Sequence, residues 1–127
     1  MRMSVLYAIA GAIGGFVANT SNLSERYIGW STKWGDGAYD FNPISDLTVT
    51  EVYEFLRYLN APECVIAKVP SAALFDGQTD ESEMGVTYSE LDAYIGGQTI
   101  SRETQQRIDY LHAISTHKRA GIARYGE

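Results

Sequence analysis

Residues 4–18 (SVLYAIAGAIGGFVA) are almost wholly apolar and are broken only by Gly14-Gly15, and no other stretch limits the folding options as much. Residues 2–13 read as a helix that is apolar nearly all round, and Phe16-Val17-Ala18 as a short buried strand of the kind central to parallel sheets. A helix feeding a buried strand is α/β grammar. The same run follows Arg2 and ends in small residues, which is also the form of a secretory signal peptide. It is too short to cross a bilayer, which takes about 20 apolar residues. A single cysteine, Cys64, gives an exported domain no disulfide and suits a reducing compartment, so the buried-core reading is favoured.

Downstream, residues 19–24 (NTSNLS) are rich in capping types and lead to Glu25, so a strand ends in a turn that opens a helix. Ligands of α/β sheets bind at that edge. Residues 29–40 (GWSTKWGDGAYD) form a loop with special backbone angles. Thr48 with Glu51 makes a capping box, and Val52, Phe55, Leu56 and Leu59 share one face of the helix that follows. From 68 to 86 no periodicity holds while Asp76, Asp80, Glu81 and Glu83 accumulate, which reads as a mobile acidic loop. Thr87 with Glu90 caps a further helix carrying Tyr88, Leu91 and Ile95. Ser101 opens a last one, carrying Ile108, Leu111 and Ile114 and followed by Lys118, Arg119 and Arg124.

The chain has 127 residues, the size of one domain, and a net charge of -6, which argues against nucleic acid or an anionic bilayer as partner. Any anion site must be local. Thr20 and Glu25 put a hydroxyl and a carboxylate at the mouth of the expected sheet, where a nucleotide and magnesium would sit; capping of the helix explains the same pair. Lys33, Asp36 and Asp40 bracket Gly35 and Gly37, as turn chemistry also would, and Trp30 and Trp34 suit stacking or a subunit contact. His117-Lys118-Arg119 offers three donors to phosphate or carboxylate at a helix end that attracts cations anyway. His112 and His117 lie about 140° apart around a helix and cannot chelate one metal. Cys64, beside Val65 and Ile66, reads as a core residue.

The succession MRMSVLYAIAG, ANTSNLSE, STKWGDGAYDFNPISDLTVTEV, KVPSAALFDGQTDESEMGVTYSELDAYIGG and STHKR resembles the C-terminal half of ammonia-dependent NAD synthetase over essentially the whole chain. The resemblance implies an α/β, Rossmann-like three-layer fold with a parallel sheet, of which residues 1–127 are only the C-terminal part. It further implies a cytoplasmic homodimer holding a dinucleotide at its interface. The implied enzyme is a ligase forming a C–N bond: ATP activates the nicotinate carboxylate of deamido-NAD as an adenylate, and ammonia then displaces AMP. Position by position, Thr20 and Ser71 would contact ATP, Glu25 would ligate Mg2+, and Lys33, Asp40, His117 and Lys118 would hold deamido-NAD. Residues 74–84 would be a mobile lid over the nucleotide.

Two departures from that pattern matter. Val49 stands where the family usually has a phosphate-directed lysine, and no Ser-Gly-Gly-x-Asp-Ser pyrophosphate loop occurs in the sequence. Arg2-Met3 matches only the end of an Arg-x-Arg-Met motif. The expectation is therefore a chain that is inactive alone and needs a separate N-terminal half. The alternative is a non-catalytic remnant that dimerises or binds nucleotide.

Overall fold

The computed structural model describes residues 1–122 and 124–126. Eight helices follow in order: α1 (Arg2–Ile13), α2 (Leu23–Ile28), α3 (Val49–Tyr58), α4 (Glu63–Ile66), α5 (Asp80–Met84), α6 (Tyr88–Ile95), α7 (Arg102–Ile114) and α8 (Thr116–Arg119). Their starts follow local chemistry. Asn22, Thr48 and Thr87 each close a reciprocal capping box with the glutamate three residues on, namely Glu25, Glu51 and Glu90. Ser101 caps α7 through Thr104 N–H.

The core gathers where α2, α3, α6 and α7 meet. Ile28, Val49, Met84, Val86, Tyr88, Leu91, Ile108 and Leu111 form it, with Tyr27, Trp30 and Tyr53 packed against its edge. A polar clasp lies beside these residues. The Asp92 carboxylate on α6 accepts from the Thr50 N–H at 2.8 Å, from the Thr50 hydroxyl at 2.7 Å, and from the hydroxyl of fully buried Ser24. Ser24 Oγ in turn accepts from Val49 N–H at 3.0 Å, so α2, α6 and the start of α3 share one hydrogen-bonded set.

Several expectations need correcting. Of the expected parallel sheet the described residues show one parallel bridge, Ala18 to Phe41. Asn19 N–H donates to Phe41 C=O at 2.9 Å and Asp40 N–H to Val17 C=O at 2.9 Å. A sheet needs ladders on successive strands, and residues 16–18 meet a single neighbour here, which leaves Phe16 78% exposed although Val17 is buried. Helix α1 is likewise not core. Only Ala10 is buried, while Val5, Leu6, Ile9 and Ile13 face out, because a helix apolar on all sides selects no single face for docking. Cys64 is exposed on α4, not buried. The face expected on α3 is also only partly used, since Phe55 and Leu59 are exposed.

The stretch read as one acidic loop divides into two. Residues 72–77 are exposed, but Thr79 caps α5, and Met84 and Val86 are buried in the core. No helix is long and apolar enough to cross a membrane among the described residues.

Candidate functional site

Two clefts open on either side of the segment that leaves α2. The first, of about 300 Å3, is walled by Asn19, Ser21, Glu25, Trp30, Tyr39 and Lys118 among others. The second, of about 410 Å3, is walled by Glu25, Asp36, Ser71, Gln78, Asp80 and Lys118 among others. Glu25, Gly29, Trp30, Ser31 and Lys118 belong to both, so they form the partition between the clefts.

Glu25 is held by the turn that starts α2. Its N–H donates to Asn22 Oδ1 at 2.9 Å and its Oε2 accepts from Asn22 N–H at 3.2 Å. Burial pushes its carboxyl pKa above the ordinary value; the negative charges of Asp80 and Asp36 push the same way, against the lowering effect of the Asn22 hydrogen bonds. An acid so placed gains from a nearby cation. The preceding turn is built to the same end: Asn19 is buried, accepts from Ser21 N–H at 2.6 Å and donates through Nδ2 to Asp36 C=O at 2.8 Å.

The partition is fastened from behind by the end of the chain. Lys118 Nζ donates to the carbonyls of Gly29 at 2.7 Å and Ser31 at 2.5 Å. Arg119 Nη1 donates to Tyr27 C=O at 2.9 Å and to Ser115 Oγ at 2.7 Å, and Nη2 to His112 C=O. Burial lowers the Arg119 pKa from its ordinary value. His112 Nδ1 meets Tyr27 C=O at 2.7 Å; a carbonyl only accepts, so the proton is on Nδ1.

Of the seven residues to which the resemblance gives a ligand, the clefts bring together three: Glu25, Ser71 and Lys118. Ser71 is in the second cleft, its Oγ accepting from Ala73 N–H at 3.0 Å. Four others line neither cleft. Thr20 is exposed between Asn19 and Ser21, and His117 is exposed on α8. Lys33 Nζ stands 5.3 Å from the Trp34 ring centre, and Asp40 Oδ2 accepts from Val17 N–H at 2.7 Å while Oδ1 faces the Tyr7 hydroxyl at 3.4 Å. Asn19 and Asp80 were not anticipated as cleft residues. Asn19 had a signal in its turn-rich context, and Asp80 lay in the 74–84 stretch that the resemblance sets over the nucleotide, but its place in the cleft comes through the packing of α5.

The donor set limits which metal the site suits. Among the described residues no three His, Cys, Asp or Glu side chains converge as metal ligands. One desolvated carboxylate fits a magnesium ion that arrives on substrate phosphates and completes its shell with them and with water, and it does not fit an all-protein cage.

Comparison with known proteins places the chain. The NAD synthase family model matches residues 1–121, and the chain belongs to that family. It is 44% identical over 119 residues to the NH(3)-dependent NAD(+) synthetase of Alkaliphilus metalliredigens, a match that takes in 94% of this chain and 48% of that protein. Among solved structures, the NMN synthetase of Francisella tularensis superposes with a TM-score of 0.95 at 42% identity, over 99% of this chain and 53% of that one. The NH3-dependent NAD synthetase of Campylobacter jejuni, in complex with the nitrate ion, superposes with a TM-score of 0.75 at 27% identity, over 97% and 50%. The chain therefore spans about half the length of the relatives it matches.

Proposed function

We propose that the chain supplies the C-terminal portion of a synthetase that amidates the carboxylate of a nicotinate nucleotide with ammonia, using ATP and Mg2+. The observation that carries this reading is the largely buried Glu25 carboxylate on the partition between two clefts, in a chain of this family. In the reaction a carboxylate oxygen attacks the α-phosphorus of ATP and pyrophosphate leaves. Ammonia then attacks the acyl carbon, the C–O bond to phosphate breaks, AMP leaves, and the nitrogen gives up a proton.

Magnesium bound to the phosphates would spread their charge as pyrophosphate departs. Glu25 would hold that ion, its own excess charge being neutralised in turn. Ser71 and Thr20 would bind ATP. Lys33, Asp40, His117 and Lys118 would hold deamido-NAD, with Lys33, Asp40 and His117 contributing from outside the two clefts. An acyl-adenylate would have to be kept from water, a cover that these open clefts would gain from the N-terminal half. The working unit would be a cytoplasmic homodimer completed by an N-terminal half carrying the pyrophosphate loop.

A second reading concerns the acceptor. The chain resembles an NMN synthetase as well as NAD synthetases, so nicotinate mononucleotide is the alternative to deamido-NAD as the acid that is amidated.

The test incubates the chain with ATP, Mg2+, ammonium and either acid, with and without the N-terminal half of a relative, and measures the amide product by mass. Product is expected only when the half is supplied, and the better acid identifies the acceptor. Turnover by the chain alone overturns the half-enzyme reading, and absence of product from every combination overturns the synthetase reading.

A further inference from the structure

The last two helices end on the cleft partition. Helix α2 is short, and its terminal carbonyls have no partners within the helix. Tyr27 C=O receives two donors from the C-terminal region, Arg119 Nη1 and His112 Nδ1, while Gly29 C=O and Ser31 C=O receive Lys118 Nζ. The same guanidinium spans the end of α7 through His112 C=O and buried Ser115. Trp30 lies between Gly29 and Ser31, whose carbonyls Lys118 grips, and is one of the residues lining both clefts.

We propose that Arg119 is a positioning residue for the nucleotide site: its fork ties the C-terminal ends of α2 and α7 together, and with Lys118 it sets the Trp30–Ser31 wall against which a nucleotide packs. The proposal deepens the reading of these clefts as a nucleotide site and rests on it for its ligand. The role demands an arginine. Two nitrogens of one planar group reach three acceptors on two helices, and a lysine ammonium cannot span that set. It also assigns Lys118 a second duty, because its ammonium is engaged by two backbone carbonyls.

The chain has two tryptophans, so replacing Trp34 with Phe leaves Trp30 as the only reporter. In that background, acrylamide quenching and the emission maximum of Trp30 are compared for Arg119→Lys, Arg119→Met and Lys118→Met, with circular dichroism and the thermal midpoint recorded alongside. Each substitution is expected to raise the quenching constant at least twofold and to red-shift emission while helical content is kept. A lower thermal midpoint with unchanged Trp30 fluorescence would mean that the cations only brace the fold, and would overturn the proposal. Should Arg119→Met fail to fold, Arg119→Lys and Lys118→Met decide by the same criterion.

A second arm titrates nicotinate mononucleotide, with ATP and Mg2+ present, against the parent chain and Arg119→Lys. Roughly tenfold weaker binding by the variant is expected, and equal binding overturns the proposal. If the parent binds neither nucleotide even with the N-terminal half of a relative supplied, the synthetase reading fails, and the Trp30 signal still decides whether Arg119 sets the wall.

Discussion

Gly29 lies against Ser115 at a distance that leaves no room for a side chain. Its φ is 67°, and a Cβ built on it would overlap Ser115, 2.7 Å from Oγ. Both the left-handed backbone and the close approach therefore select glycine. Gly29→Ala is expected to cost about 2–4 kcal/mol, from the strained backbone together with overpacking. Urea unfolding checks it: the midpoint should fall with little change in slope, and an unshifted midpoint would contradict the close packing.

The Asp92 clasp carries a second prediction. Asp92→Ala strips the partner from the Thr50 N–H and hydroxyl and from the hydroxyl of buried Ser24. Leaving a buried hydroxyl short of a partner and the Thr50 N–H of the first turn of α3 without its acceptor should together remove about 2–3 kcal/mol. Asp92→Asn keeps an acceptor oxygen and should lose about half as much. Amide exchange localises the effect: Val49 and Thr50 should lose protection before the middle of α7 does.

Met84 shows where reading the sequence stopped short. The capping boxes at Thr48 and Thr87 were legible because each is closed within four residues, and α6 and α7 carry enough turns to display a buried stripe. Helix α5 has five residues, too few for any periodicity, and it earns its place only through Met84, which is fully buried between α6 and α7 residues of the core. Cys64 and α1 misled for the opposite reason. Their neighbours in sequence are apolar, but burial depends on a partner surface that these residues do not find within the described chain. The candidate site divides the same way: Glu25, Lys118 and Arg119 stood out as motif residues, whereas Asp80 takes its place in the cleft through the packing of α5. Met84→Ala should destabilise by about 2–5 kcal/mol and expose residues 71–84 to proteolysis. Cleavage there at the parent's rate would show that Met84 does not anchor the segment.

Glu25 makes stability depend on pH in a direction opposite to that of a paired carboxylate. Burial, reinforced by Asp80 and Asp36, holds its folded pKa above the ordinary value of 4.5, so the folded chain keeps this proton to higher pH than the unfolded chain does. Folding therefore takes up a proton in the interval between the two pKa values. Stability from this group is greatest below 4.5 and declines from there as pH rises through the folded pKa, above which the penalty is complete. Glu51 and Glu90, whose pKa values are lowered first of all by hydrogen bonds from the Thr48 and Thr87 backbone, act oppositely and lose their contribution as pH falls. Glu25→Gln retains an oxygen for Asn22 N–H and carries no charge. It should raise the unfolding midpoint at pH 7, match the parent at pH 4, and flatten the slope between. Added Mg2+ with ATP should stabilise the parent at pH 7 and leave the glutamine variant unmoved, because the ion offsets a charge that the variant no longer has. Equal responses of both proteins to Mg2+ with ATP would remove Glu25 from the metal site while leaving its titration intact.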